Sequence, residues 1–375
     1  MSEWIDRAEA LDRLGVRPQT LYAYVSRGKI GQLADPADPR KSRYRSEDIE
    51  ALRTRRARGR RPATIAAGAM AWGEPAISTR ISTVIHGRLI YRGRDAVELS
   101  ATHTLEDVAA LLWECRPPVV LAGGGASNAD DPFTALAGLV AVARPTIGRG
   151  RERLCADAAD AVAALAGGLG IAPGQAPLHV RLGALWSLDP AGTDLVRRIL
   201  VLLADHELNP STFAARVAAS TGASIAASLL AGLGALSGPR HGGAGAAVAE
   251  LAESARRIGA EEAVARWLAR GLPLPGFGHP LYPNGDPRAK ALLEGLRDRE
   301  AMADLRHAAL DATGAQPNID FALFALALEN AMPGDAAFRL FMLGRSVGWA
   351  AHAMEQAASG ALIRPRATYV GREPE

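Results

Sequence analysis

The sequence predicts a mainly α-helical protein, and three observations carry that expectation. Apolar residues make up 48% of the 375, yet aromatic residues make up only 5%, with Ala, Leu, Gly and Arg abundant. That balance favours helices, because sheets draw on β-branched and aromatic side chains. Apolar residues also recur at helical spacing in one segment after another, as in TLEDVAALLW and TGASIAASLLAGLGAL, and the segments open on residues that cap helices.

The length suggests two or three domains with a sizeable core. The net charge of +3 is unevenly spread: residues 1–62 hold 15 Lys and Arg against 9 Asp and Glu, a net +6, which leaves −3 for the rest. A small basic module joined to a larger body is therefore expected, with the run RTRRARGRR at 53–61 as its linker. In the module, Asp6 caps a helix whose Ala10, Leu11 and Leu14 share one face, and Gly15 ends it. Pro18 opens a second helix closed by Gly28. A polar stretch, DPADPRKSRYR, precedes a third helix from Ser46. This order resembles the winged helix-turn-helix of the MerR and excisionase families, with RKSRYR as the wing. The resemblance implies DNA contact through Gln19, Thr20 and Arg27 of the second helix and Arg43 of the wing. A helical cap that does not touch DNA is the alternative, and both remain open on the sequence.

The larger part, residues 66–375, opens on a short strand pair within ISTVIHGRLIYRGRDAVEL and a capped helix from Thr104 to Trp113. Residues 121–177 read as packing helices and loops. At 205 the character changes, with Asp205, His206 and Glu207 just before a helix start at Asn209 and Pro210. They read either as polar capping of that helix or, for His206, as a group that holds a carboxylate at its N-terminus. Two histidines then sit among small residues, His241 in GPRHGGAG and His279 in PGFGHPLYPNGDPRA, with Arg288 nine residues after the second. Glycines there permit close approach of the backbone to a ligand. Further on, Asp320 stands at the start of a strongly apolar helix and Arg345 inside another.

Taken in order, DHELNPSTFAARVAAST, GPRHGGA, PGFGHPLYPNGDPRA, NIDFAL, GRSVGWAAHAMEQ and RPRATYVG resemble the motifs of the citrate synthase family. The resemblance implies an all-helical large domain with an inserted small domain over about 240–330, assembled as a homodimer. It implies condensation of acetyl-CoA with oxaloacetate and water to citrate and CoA, or of propionyl-CoA to 2-methylcitrate. Asp320 would be the base at the acetyl methyl, His241 the donor to the thioester oxygen, and His279 the acid at the oxaloacetate carbonyl. His206, Arg288, Arg345 and Arg364 would hold carboxylates, Arg364 from the other subunit, and Pro275, Gly276, Phe277 and Gly278 would line the CoA ester. The chemistry needs such a set: a weak carbon acid ionises only when a base and an oxyanion donor act together, and planar guanidinium groups suit a dicarboxylate. No cofactor or metal is implied, acetyl-CoA being a substrate. A reading as a DNA-binding regulator that senses these metabolites through the body stands beside the enzyme.

Some positions depart from the family's pattern. Pro280 and Pro283 stand in the loop where relatives carry a basic contact to CoA phosphate, Leu203 stands where many have a histidine, and the middle of the chain is shorter. With two cysteines, Cys115 and Cys155, no cysteine framework and no apolar leader, the expectation is a soluble protein of the reducing cytoplasm. No uninterrupted apolar run reaches the roughly 18 residues of a membrane span.

Overall fold

The computed structural model describes residues 4–14, 16, 21, 24–25, 29–35, 38–58, 77–122, 131–297, 302–367, 369 and 371–372. Contacts divide the chain into two units, Met1–Ser78 with Arg364–Glu375, and Thr79–Ile363.

In the first unit, β1 (Trp4–Ile5), β2 (Gln32–Asp35) and β3 (Asp38–Arg45) form an antiparallel sheet in the order β1-β3-β2. The register pairs Ile5 and Gln32 with Tyr44. Helix α1 (Arg7–Leu14) starts where Asp6 accepts the Glu9 N–H at 2.9 Å. Helix α2 (Ser46–Arg58) carries Glu47 and Asp48 in its first turn, where the helix dipole favours acids. Ile5, Ala10, Leu14, Leu21, Ile30, Tyr44 and Ile49 make a small core. The segment RKSRYR lies on β3, paired antiparallel with β2. Most of the expected second helix, with Gln19, Thr20 and Arg27, lies outside the described residues, as does most of the linker. Arg43 on β3 pairs with Asp35 at 3.0 Å.

The second unit opens on an antiparallel sheet of β4 (Ser82–Ile85), β5 (Arg88–Tyr91) and β6 (Arg94–Asp95), where a strand pair was expected. Fourteen helices follow among the described residues: α3 (Ala96–Thr102), α4 (Leu105–Trp113), α5 (Pro132–Val142), α6 (Arg151–Gly168), α7 (Leu178–Leu185), α8 (Pro190–Leu203), α9 (Pro210–Ser220), α10 (Ile225–Leu236), α11 (Ala244–Ile258), α12 (Ala260–Leu268), α13 (Pro287–Leu293), α14 (Ala303–Thr313), α15 (Ile319–Glu329) and α16 (Ala336–Ser359). Their starts are written in the sequence. Asp131-Pro132, Asp189-Pro190, Asn209-Pro210 and Asp286-Pro287 each place a side-chain acceptor before a proline that needs no donor. Thr104 and Asp107 close a reciprocal capping box on α4.

The long helix α16 is the axis of the main core, packed against α4, α6, α8, α9 and α10. Small residues on α16 let the others approach. A Cβ on Gly344 would lie 2.7 Å from the Leu203 Cβ, and one on Gly348 would overlap the Ala204 carbonyl and the Asp205 carboxylate. A second core joins α11, α12, α14 and the start of α15 through Val248, Leu251, Val264, Trp267, Leu305 and Phe321.

Cys115 and Cys155 form a disulfide, although no cysteine framework was expected. Their pairing comes from tertiary packing: the end of α4 lies on the start of α6, where Arg151 donates to the Trp113 carbonyl at 2.8 Å and pairs with Glu114. No described helix is long and apolar enough to cross a membrane.

Candidate active site

The site is built first at the corner between α8 and α9. Asn209, not His206, caps α9, its side chain accepting the Thr212 N–H at 3.1 Å. His206 is thereby released from the capping role that its position allowed. Glu207 takes a left-handed backbone, φ 52°, and its carboxylate accepts the Val84 N–H at 2.8 Å, pinning the corner to β4. Asp205 is fully buried and accepts from the Ser82 hydroxyl and from His352 Nε2, the latter at 3.1 Å. Arg216 donates to His352 Nδ1 at 3.0 Å, which leaves the imidazole proton on Nε2, facing Asp205. Burial alone would raise the Asp205 pKa, but His352, Arg345 and Ser82 outweigh it and hold the carboxylate ionised.

Two buried arginines stand beside this corner. Arg345, on α16 and 1% exposed, spends its Nε on the Leu203 carbonyl at 2.9 Å, and its guanidinium lies over the Phe341 ring. Its two terminal nitrogens make no hydrogen bond among the described residues. A buried guanidinium with a free fork is a ready site for a carboxylate. Burial lowers its pKa to about 10, still charged at neutral pH. Arg288, at the start of α13, is held by a two-point ion pair to Asp286, with Nε at 2.9 Å and Nη2 at 2.7 Å. Asp286 also accepts the Ile319 N–H at 3.1 Å, joining α13 to the start of α15.

His241 lies in the turn between α10 and α11, its ring edge-on to Phe341. Its Nε2 is 2.8 Å from the Ser211 hydroxyl, which also meets Trp349 Nε1 at 3.1 Å and Asn209 Oδ1 at 2.6 Å. Trp349 can only donate and Asn209 Oδ1 only accept, so the hydroxyl proton goes to Asn209 and His241 Nε2–H donates to Ser211. Turning the hydroxyl to His241 would instead place the imidazole proton on Nδ1, available to a substrate oxygen. Burial, then Arg345, depresses its pKa to about 4, so the ring is neutral at pH 7.

The second histidine loop is tied to α15. Gly276 has φ 81°, and a Cβ there would press on Phe321 and Val248 at 3.1 Å. The Gly276 carbonyl accepts the Asn318 N–H at 2.8 Å, and the Gly278 N–H donates to the Gln316 carbonyl at 2.8 Å. Asn318 caps α15 by accepting the Asp320 N–H at 3.0 Å, leaving the Asp320 carboxylate free of the capping role. The Leu281 N–H donates to His279 Nδ1 at 3.1 Å, so His279 carries its proton on Nε2. Its pKa is also pushed down to about 4, by burial and then by Arg288. Asp320 is half-buried, and desolvation raises its pKa to about 6, with Asp286 reinforcing and Arg288 and Arg345 opposing.

These influences define one constellation. Arg288 and Arg345 act on both Asp320 and His206, Arg345 acts also on His241, and Arg288 on His279. His206 and His279 meet edge-to-face, with ring centres 5.1 Å apart. A cleft of about 230 Å³ opens beside them, lined by His279, Tyr282, Asp286, Thr313 and Gln316 among others. Gly278 lines it, whereas Phe277 packs on Phe321 in the second core, with Val248 and Trp267. The arrangement is a carboxylate base that is ionised only above about pH 6, three neutral imidazoles and two fixed cations. That set suits proton abstraction next to a carbonyl with an anionic partner bound alongside.

A family model for "Citrate synthase, C-terminal domain" matches residues 154–366. The chain belongs to the citrate synthase family. It is 39% identical over 198 residues to the citrate synthase of Mycolicibacterium smegmatis, a match covering 49% of this chain and 52% of that one. It is 35% identical over 221 residues to the 2-methylcitrate synthase of Mycobacterium tuberculosis H37Rv, covering 55% and 54%. The chain thus spans about half the length of the curated relatives it matches. Its fold is that of the citrate synthase of Thermoplasma acidophilum, solved in ternary complex with carboxymethyl coenzyme A and oxaloacetate, with a TM-score of 0.69 at 24% identity over 80% of this chain and 94% of that chain.

Of the residues expected from sequence, His206, His241, His279, Arg288, Asp320 and Arg345 come together in this citrate synthase fold. Arg364 is exposed and belongs to the other unit. Ser211, Tyr282 and Asp286 were not singled out, yet each holds a member of the constellation, and Trp349 and His352 hold Ser211 and Asp205 behind it. His352 lies seven residues, two helical turns, after Arg345, a spacing that shares one face.

Proposed function

We propose that the protein condenses acetyl-CoA with oxaloacetate and water to give citrate and CoA. The observation that carries this reading is Asp320, half-buried with its pKa raised to about 6, in one cluster with the neutral His241 and the free fork of Arg345. Asp320 takes a proton from the acetyl methyl while His241, with the Ser211 hydroxyl turned to its Nε2, donates from Nδ1–H to the thioester oxygen, so the enol forms without a free enolate charge. The enol carbon then bonds to the ketone carbon of oxaloacetate, and His279 Nε2–H gives its proton to the ketone oxygen. Arg345 and Arg288 hold the dicarboxylate. Water then cleaves the thioester, releasing CoA and leaving citrate. Mass spectrometry of the product formed from each acyl-CoA tests this: citrate from acetyl-CoA supports the reading, and no condensation product sinks it.

A 2-methylcitrate synthase reading is favoured by the likeness to the enzyme of that name, and preferential turnover of propionyl-CoA would select it. For the homodimer, the exposed Arg364 would serve a neighbouring copy. Mixing Arg364→Leu with Asp320→Asn protein then restores part of the activity through heterodimers, and no recovery argues against a shared site. For the N-terminal module, the support for a DNA-binding winged helix-turn-helix is the hairpin with Lys41, Arg43 and Arg45 on β3. Salt-dependent retention on duplex DNA tests it.

A further inference from the structure

Tyr282 lies in the second histidine loop, and its hydroxyl is 2.8 Å from His206 Nε2. Its ring is fixed from two sides: the ring centre of His279 lies 5.0 Å away and the guanidinium carbon of Arg288 5.2 Å away. The phenol has one proton and no second hydrogen-bond partner among the described residues. Among the described groups the hydroxyl's proton finds an acceptor only in His206 Nε2. Nε2 is then the acceptor, and the imidazole proton is left on Nδ1, which has no hydrogen-bond partner among the described residues.

We propose that Tyr282 is a positioning residue that fixes His206 in its Nδ1–H tautomer, so that the ring presents a neutral N–H donor to a substrate carboxylate. The carboxylate rests on the oxaloacetate reading above; the tautomer does not. Without the hydroxyl, both tautomers are open to His206, and the Nε2–H form turns a lone pair toward the anion. The phenol stays protonated through the working range, because burial pushes its pKa up to about 12. The same bond joins the loop carrying His279 to the corner carrying His206, so the two imidazoles are set by one side chain.

The test is the ¹⁵N spectrum of histidine-labelled enzyme, with the His206 signals assigned by their loss in His206→Gln. The wild type is expected to show a protonated Nδ1 and an unprotonated Nε2 at His206. Tyr282→Phe keeps the ring against His279 and Arg288, and should give a mixture of both tautomers. It should raise the KM for oxaloacetate roughly 3- to 15-fold, the worth of one hydrogen bond, with kcat changed by less than about threefold. A role in packing alone would leave the tautomer of the Phe variant as in the wild type. An Nε2–H wild-type ring, or a tautomer unmoved by Tyr282→Phe, overturns the proposal, and the wild-type spectrum decides the first point even if the variant folds poorly. The spectrum needs no turnover, so an inactive protein with the expected tautomers would overturn the proposed function and leave the positioning role standing.

Discussion

Replacing Asp320 by Asn should make the protein more stable and nearly inactive at once. In the fold, burial raises the Asp320 pKa from 3.8 to about 6. Below about pH 4 the group is neutral both folded and unfolded, and the carboxyl costs nothing. As pH rises through 4 to 6 the unfolded chain ionises first, so stability falls; above about 6 the loss is complete. The size of the rise corresponds to about 3 kcal/mol at pH 7 to 8. Asn has nearly the same shape and no charge to desolvate. Thermal unfolding at pH 8 should therefore show Asp320→Asn melting several degrees above the wild type. The gap should shrink as the buffer is lowered from pH 6 and vanish near pH 4. Turnover should fall by about 10² to 10⁴, the range for loss of a general base, mainly in kcat. A variant that melts below the wild type at pH 8, or that keeps more than about a tenth of its kcat, would refute the reasoning.

Arg345→Leu should weaken oxaloacetate binding by the roughly 2 to 5 kcal/mol of a truncated, desolvated charge pair, seen as a KM raised from about 30-fold to several thousand-fold; a shift under tenfold would remove Arg345 from the clamp. Gly348→Ala forces a methyl into the Ala204 carbonyl and the Asp205 carboxylate, neither of which can yield freely. Denaturation should show a loss of at least about 1 to 3 kcal/mol, and an unchanged midpoint would mean that α16 is not packed as described.

Much of this was legible because its signals are local. The Asx-Pro pairs and the Thr104–Asp107 box mark helix starts by side-chain chemistry within four residues. His241 and His279 stand out because glycines around them have no use in a helix interior. Asn318, two residues before Asp320, is enough to take the cap and leave the acid free. Other features depend on residues far apart in the chain. Ser211 matters only because Trp349 and His241 converge on it, and Tyr282 only because the fold brings it to His206. Spacing alone does not announce that Cys115 meets Cys155, since α4 and α6 must first pack. The ionisation states were equally hidden: Asp320 is raised by desolvation, which no neighbouring residue in the sequence reveals.

The central claim is that a desolvated Asp320 drives condensation of an acyl-CoA with oxaloacetate. It is tested most directly by following CoA release from acetyl-CoA in the presence of oxaloacetate between pH 5 and 9. The account predicts oxaloacetate-dependent release that rises with pH through an apparent pKa near 6 and then levels, with the rise absent in Asp320→Asn. No oxaloacetate-dependent release, or a rate that rises in the Asn variant as it does in the wild type, would contradict it.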